Sequence, residues 1–490
     1  MAKKSSKEKA KADAKADFNF SDAFDLAEKN SKLTAVEVSE RIDLNTVIHS
    51  GSLVQDLCMY GGGLQAGRVY DLHGPESGGK TSLGNIILVQ AILSIPGPVG
   101  KTKGYYIDAE GTLDKKWFRN IARSYGVELS LKEIFGKKDE NGNWIYKPTI
   151  RLLKPTVGDV ALKAIVQILK ALPDKVFVKD KWMYSWTPVE AKTAKKTGGM
   201  TDKNLRKMLE EKHIKWDKDI FTKTGSFMVA IPGNYGGPEL VFLIDSMIAL
   251  TPRQTAEDDS AAMAQHGRMF SRWINNIKSL AAAKGVTFVN VNQLRKNPGQ
   301  QFGDPTYSPG GEAIKYVADC RNVVSPCANP AGGGMEEEEG KNIYRWTSFK
   351  NKKNKLSSPG AKIRFRWWTQ RDGKTGCGLD PVVDTMDYLD LTHQIQEKGR
   401  KGFYIMLAEQ KKELRSKAYN KIRQFLQETL LSVQEFNTLA VEGYIMDGDT
   451  KVKCDIRAVC REQIKTGLAF TLYKGHSNVK KKKEEDEDDD

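Results

Sequence analysis

The sequence predicts an α/β fold built on a mostly parallel sheet, on three observations. Short apolar runs, Tyr105-Tyr106-Ile107, Val241-Phe242-Leu243-Ile244 and Val286-Thr287-Phe288-Val289-Asn290-Val291, have the length and composition of strands buried on both faces. Helical apolar spacing lies between them, for example from Met269 to Leu280. The stretch Gly74-Pro75-Glu76-Ser77-Gly78-Gly79-Lys80-Thr81 reads G-x-x-x-x-G-K-T, a phosphate-binding loop. It follows the strand-like Arg68 to Leu72 and precedes a helical pattern from Ser82 to Leu93, with Leu83, Ile86, Ile87 and Val89 apolar. Strands alternating with helices imply helices covering a parallel sheet.

The chain has 490 residues, room for two or three units at about 100–200 residues each. Its 77 Lys/Arg exceed 62 Asp/Glu, and the net charge of +15 suits a polyanionic partner. Mean hydropathy is −0.51, and no apolar run approaches the roughly 18 residues of a membrane span. The Lys/Ala/Asp-rich N-terminus has no apolar signal region, so a cytoplasmic, non-secreted, membrane-free protein is expected. Cys58, Cys320, Cys327, Cys377, Cys454 and Cys460 are scattered without a C-x-x-C, which points to free thiols rather than a zinc site.

Residues 1–50 read as an N-terminal basic arm, low in complexity over 1–17. Asp22 to Leu33 is a candidate oligomerisation helix, with a plain surface helix as the alternative. Residues 51–395 read as the core, interrupted by an insertion over 173–238. Between Asp174 and Lys223 there are 13 Lys/Arg against 8 Asp/Glu, together with Trp182, Tyr184, Trp186 and Trp216. That composition fits nucleic-acid contact, or a solvated subdomain with its own small core. Thr201 is a candidate cap for a short helix there. Lys341 to Lys374 carries 11 Lys/Arg and one acidic residue, around the strand-like Ile363 to Trp368. Residues 396–479 read as a small C-terminal α+β domain, with Ile422, Phe425, Leu426 and Leu430 on one helical face. Residues 480–490 are a charged tail of four lysines and seven acidic residues.

The phosphate loop sets the chemistry. Gly74, Gly78 and Gly79 let backbone N–H groups curl around phosphates, and the following helix N-terminus adds positive field. Lys80 would reach the outer phosphates, and the Thr81 hydroxyl would hold Mg²⁺. Three further polar groups each follow a strand. Asp245 is placed to hold Mg²⁺ through water. Glu110 is placed to activate water against the terminal phosphate. Gln293 is placed to sense that phosphate through its amide. For each, capping a helix or meeting solvent is the competing role.

Together these residues resemble a family. The loop, Ile107-Asp108-Ala109-Glu110, Ile244-Asp245-Ser246 and Val291-Asn292-Gln293-Leu294-Arg295 look like the core motifs of the bacterial RecA recombinases, in the same order. The likeness continues through Phe302-Gly303-Asp304-Pro305, Gly310 to Tyr316 and Lys353-Asn354-Lys355-Leu356. It covers roughly 50–172 and 239–375, and the insertion suggests a divergent member nearer the phage, UvsX-like branch.

The resemblance implies a RecA-like ATPase core using ATP and Mg²⁺. Gly74, Pro75, Glu76, Ser77, Gly78, Gly79, Lys80, Thr81 and Ser82 would hold the nucleotide. Asp114 and Trp117 would meet the adenine, Trp117 offering a stacking face. Glu110 would be the catalytic carboxylate, Gln293 the link between terminal phosphate and DNA, and Thr81 with Asp245 the metal group. Lys353 and Lys355 would reach the ATP of a neighbouring subunit. Tyr316 matches an aromatic that packs between subunits, with a core aromatic as the alternative.

Two DNA loops are implied, Pro252 to Gly267 and Arg295 to Gly311. Met263 and Arg268 are candidates around the first; Arg295, Lys296, Pro298 and Phe302 belong to the second. Pro298 departs from the apolar base wedge often found there. The implied activity is an ATP-dependent homologous recombinase forming helical homo-oligomeric filaments on single-stranded DNA and exchanging strands with double-stranded DNA. It would act in the cytoplasm, at the nucleoid or at sites of viral DNA replication in a bacterial host, alongside a single-strand-binding protein and a loading mediator. The rival reading is a hexameric ring DNA helicase on the same fold; the Lys353-Asn354-Lys355 run favours the recombinase.

Overall fold

The structure, a computed structural model, describes residues 47–473 apart from 60–61, 179–180, 198, 232–235, 253–258, 297–305, 308–311, 329–336, 339–340, 343, 357–358, 372–373, 398–401 and 409–416. Residues 1–46 of the expected N-terminal arm, with the Asp22–Leu33 helix, Pro298, Phe302 and the charged tail, lie outside the described residues, while Val47, Ile48 and Ser50 are buried in the core.

A nine-stranded sheet organises the chain. Its strands are β1 (Val69–Gly74), β2 (Gly104–Asp108), β3 (Ile150–Leu153), β4 (Leu240–Asp245), β5 (Val286–Gln293), β6 (Cys320–Cys327), β7 (Tyr344–Asn354), β8 (Lys362–Arg371) and β9 (Lys374–Leu379). Their spatial order is β9-β8-β7-β6-β1-β5-β4-β2-β3. From β6 to β3 every neighbouring pair is parallel, and from β6 to β9 every pair is antiparallel. The expected parallel sheet is therefore the larger half of a mixed sheet.

The helices that matter to the site are α1 (Lys80–Ser94), α2 (Lys115–Ser124), α3 (Gly158–Ala171) and α4 (Asp259–Lys284). Strand periodicity sorts side chains onto two faces. Val241 and Leu243 of β4, with Val289 and Val291 of β5, pack in one core with Leu83, Ile86 and Val89 of α1. Phe242, Ile244 and Phe288 face the other core, against Leu162, Ile165 and Leu169 of α3 and Phe270, Ile274 and Ile277 of α4. Across that second face Tyr105 stacks on Phe242 at 4.8 Å, and Phe242 on Phe288 at 4.9 Å. Each such buried ring contributes about 1.5–3 kcal/mol through area removed from water. The apolar runs lack polar alternation because both their faces are covered.

The insertion folds around a core of its own. Strands Asp174–Val178, Lys181–Trp186 and Phe227–Ala230 form a separate three-stranded sheet. Leu205, Leu209, Phe227 and Val229 fill its interior, with Tyr184, Trp186, Trp216 and Phe221 packed against them. Thr201 caps the helix Asp202–Glu211 by accepting from the Asn204 N–H at 3.4 Å. The Arg206 guanidinium lies over Trp216, Phe221 and Phe227 at 4.9–5.5 Å. Packing thus engages the aromatic rings that composition left open to base stacking.

The C-terminal region joins the larger core. Leu426, Phe436, Leu439 and Ile464 belong to the same apolar cluster as Leu53, Ile86 and Tyr388. Leu430 falls just beyond the helix Lys417–Glu428 that carries Ile422, Phe425 and Leu426. A buried carboxylate ties distant segments: Asp384 accepts from the Ser52 hydroxyl at 2.5 Å and the Leu53 N–H at 3.0 Å, and pairs with Arg457 at 2.8 Å. No helix among the described residues is long and apolar enough to cross a membrane.

Candidate active site

Register brings the strand-end residues to one edge. In the sheet Gly74 lies opposite Gln293, Val291 opposite Asp245, and Asp108 opposite Asp245. The carboxyl edge of parallel strands is where open α/β sheets hold ligands. Here it opens into a cleft of about 230 Å³ lined by Glu76 to Ser82, Glu110, Trp117, Asp245, Val291, Gln293 and Arg345.

The loop's glycines answer two requirements. A Cβ at Gly74 would stand 1.9 Å from the Val324 carbonyl oxygen of β6, and one at Gly78 2.6 Å from the same atom. Only residues without a side chain permit that approach. Gly79 has φ +95°, the left-handed region, as it turns the chain into α1. Ser77 shares that region at φ +57°. From the antiparallel half, the Thr347 hydroxyl donates to the Gly78 carbonyl at 3.1 Å.

Lys80, only 6% exposed, begins α1 and donates to the Pro75 carbonyl at 2.5 Å. Burial lowers its pKa, and the carboxylates of Asp245, Glu110 and Glu76 oppose that shift. Asp245 ends β4 at 2% exposure. Burial pushes its carboxyl up to about 6, against hydrogen bonds from Tyr106 and Thr81 and with help from the negative charge of Glu110. The Tyr106 hydroxyl donates to Asp245 Oδ2 at 2.9 Å. Glu110 is exposed to the cleft. Its Oε1 accepts from the Ser246 hydroxyl at 2.5 Å and from Gln293 Nε2 at 3.2 Å. The backbone N–H of Ala109 donates to the Asp245 carbonyl at 2.9 Å, which ties the ends of β2 and β4 together.

The structure therefore gathers Lys80, Thr81, Glu110, Asp245, Gln293, Trp117 and the loop residues Glu76 to Ser82 in one cleft. Asp114 is the N-cap of α2, its Oδ1 accepting from Lys116 N at 2.7 Å and Trp117 N at 3.2 Å. That cap sets the start of the helix on which Trp117 reaches the cleft. Lys353 and Lys355 are absent from its lining. Lys353 Nζ donates to the Lys315 carbonyl at 2.7 Å, and Lys355 Nζ stands 3.9 Å from Asp319. Tyr316 beside them is 72% exposed, which rules out the core-aromatic alternative in this chain.

The expected DNA loops differ in part. The second half of the stretch Pro252 to Gly267 is helical, because α4 starts at Asp259. Met263 thus lies on a helix, and its side chain is outside the described residues. Arg268 lines a second cleft, of about 600 Å³, with Lys163, Arg272 and Trp273 between α3 and α4. Arg295–Lys296 pairs antiparallel with Thr306–Tyr307, so the second loop leaves the sheet edge as a short ribbon.

Four contributors escaped sequence reading: Tyr106, Ser246, Thr347 and Arg345. Ser246 had a signal in its place immediately after Asp245. Thr347 and Arg345 come from β7, on the far side of the loop, and carry no spacing relative to it.

Comparison with known proteins agrees with this geometry. A family model described as the RecA N-terminal domain matches residues 23–143 and 235–368, leaving out most of the insertion. The chain is similar to the RecA protein of Thermus thermophilus, 25% identical over 357 residues that cover 72% of this chain and 74% of that one. It is similar also to RecA of Arthrospira platensis, 25% identical over 365 residues covering 74% and 70% of the two chains. RecA of Deinococcus radiodurans is 23% identical over 321 residues, covering 65% and 61%. With the family model matching more than half of its 490 residues, the chain belongs to the RecA family.

Proposed function

We propose that this chain is an ATP-dependent homologous recombinase that forms filaments on single-stranded DNA, pairs that strand with a homologous duplex and exchanges strands. The observation that carries the reading is the convergence of Lys80, Thr81, Glu110, Asp245 and Gln293 at one sheet edge in a RecA-family chain. The divergent motifs and the insertion favour a relationship to the phage branch.

The cleft fits a nucleoside triphosphate with Mg²⁺. Its loop has no side chains at 74, 78 and 79, where a Cβ would meet backbone or the Trp367 ring. It offers one buried cation, Lys80, and one buried carboxylate, Asp245, whose charged form is poorly solvated and suits a cation. Thr81 and Asp245 would hold the metal, which supplies charge neutralisation at the phosphates when bound. Lys80 steadies the outer phosphates. Trp117 provides a flat face for the base.

Glu110 orients the attacking water and takes its proton. Its carboxylate is held by Ser246 and Gln293. Gln293 is also the last residue of β5, directly ahead of the Arg295–Gly311 loop proposed to meet DNA. Seating that loop on a strand would shift the Gln293 amide from Glu110 toward the terminal phosphate, tying turnover to DNA. Lys353 and Lys355, remote from their own subunit's cleft, would serve the cleft of the next subunit, with exposed Tyr316 at that contact. Hydrolysis would then require assembly.

The test is joint-molecule formation between a labelled single strand and homologous duplex, with ATP and Mg²⁺. Pairing that depends on homology and is lost in Lys80→Ala supports the proposal. Duplex unwinding without pairing would replace it with a ring motor.

A further inference from the structure

Arg345 has a place in the cleft and no partner among the described residues. It projects from β7 beside Thr347, two residues on and therefore on the same face of the strand. Thr347 donates to the Gly78 carbonyl, so that face is the one turned to the phosphate loop. Arg345 lines the cleft with the loop, Trp117 and Asp245. Behind it, its cross-strand neighbour Trp367 packs where a Gly79 side chain would go.

The half-buried guanidinium is partly withdrawn from water, and burial pushes its pKa down. Among the described residues no carboxylate pairs with it. Three other arginines held in the fold are treated differently: Arg321 pairs with Asp71 at 3.1 Å, Arg366 with Asp380 at 2.6 Å and Arg457 with Asp384 at 2.8 Å. An uncompensated, partly desolvated charge destabilises the empty protein and is relieved when an anion arrives. The anion the cleft is built for is a nucleotide polyphosphate.

We propose that Arg345 is a nucleotide-binding residue, supplying from the subunit's own antiparallel half a positive charge to the phosphates of ATP and ADP. The inference rests on the cleft being a nucleotide site. It divides the cationic work: Lys80 and Arg345 hold the nucleotide within one subunit, while the proposed trans lysines act on turnover. Binding by the unassembled subunit then does not wait for a neighbour.

The experiment is equilibrium binding of ATP, ADP and adenosine to the full chain without DNA, at low and moderate salt. Wild type is compared with Arg345→Gln, Arg345→Lys and Lys80→Ala, and the melting temperature of each nucleotide-free protein is recorded. A charge-assisted contact predicts about 10–100-fold weaker ATP and ADP binding in Arg345→Gln. Its salt dependence should be shallower, adenosine affinity unchanged, and Arg345→Lys partly restored. The nucleotide-free melting temperature of Arg345→Gln should equal or exceed that of wild type, which a merely structural arginine would not give. Unchanged ATP affinity in Arg345→Gln, with binding lost in Lys80→Ala, overturns the proposal and leaves the nucleotide site standing. Equal weakening for adenosine and ATP also overturns it, placing the guanidinium on the base. No nucleotide binding by wild type removes both.

Discussion

The two halves of the sheet serve the cleft in different ways. In the parallel half, β1, β2, β4 and β5 stop at the cleft, and each delivers its functional group from the residues at or just past its end: Lys80, Glu110, Asp245 and Gln293. In the antiparallel half, β7 and β8 run past the loop. They deliver side chains from within the strand: Arg345, Thr347 and Trp367. A group at a strand end lies at or past the last pairs of the sheet ladder, which suits groups that shift between states. Thr347 and Trp367 are fixed by pairing on both sides and Arg345 by pairing with Trp367, which suits groups that hold. Glu110 and Gln293 of the parallel half should therefore govern turnover, and the antiparallel half should add to the affinity that Lys80 provides and to loop stability.

The largest effect tests the first half of that statement. Glu110→Gln should lower ATP turnover on the order of 10³-fold while leaving nucleotide affinity and melting temperature near wild type. A parallel loss of binding would break the division between halves. Gly74→Ala probes the seam where the halves meet. Its Cβ would collide with the Val324 carbonyl of β6 at 1.9 Å, costing about 3 kcal/mol of stability by denaturant titration. A melt unchanged from wild type would mean that β1 and β6 are not so closely abutted.

A smaller effect is expected from the antiparallel side. Thr347→Val removes the donor to the Gly78 carbonyl, at a cost of about 1 kcal/mol. Nucleotide affinity should fall several-fold with turnover of bound ATP little changed. Turnover falling more than affinity would erase the distinction drawn here.

A further effect is a slope with pH. Asp387, on the helix Pro381–Leu391 near Arg364 and Arg366 of β8, is pushed up to about 7 by burial and by the neighbouring Asp384 and Asp390. Its carboxyl in an unfolded chain would titrate near ~3.9. Between those values the folded chain keeps a proton that the unfolded chain has lost, so stability falls as pH rises from about 4 to about 7. Asp387→Asn should flatten the melting temperature between about pH 4 and about pH 7; an unaltered slope would assign it to another group.

The same contrast explains what the sequence made legible. The phosphate loop, Asp245 and Gln293 lie in short contiguous motifs, where a strand, a turn and a polar residue follow one another within a few positions. Their placement at one sheet edge could be read along the chain, and so could the Thr201 cap. Thr347 acts on Gly78 across 269 positions, and the link exists only because β6 and β7 reverse the chain beside β1. Composition marked Lys341 to Lys374 as basic without telling a cation that lines the cleft from one that meets solvent. The insertion's basic and aromatic composition fits either nucleic-acid contact or a subdomain with its own small core, and in the fold Arg206, Trp216, Phe221 and Phe227 pack on one another in such a core. The α4 boundary was missed because the Asp259–Gly267 segment is polar and small, with its apolar stripe starting at Met269.

One measurement tests the account most directly: steady-state ATP hydrolysis by the full chain, with and without single-stranded DNA, for wild type and Lys80→Ala. The account predicts slow turnover alone, strong stimulation by single strands as subunits assemble and Gln293 moves, and loss of both in the variant by about 10²–10³-fold. Turnover indifferent to single-stranded DNA, or surviving in Lys80→Ala, would contradict it.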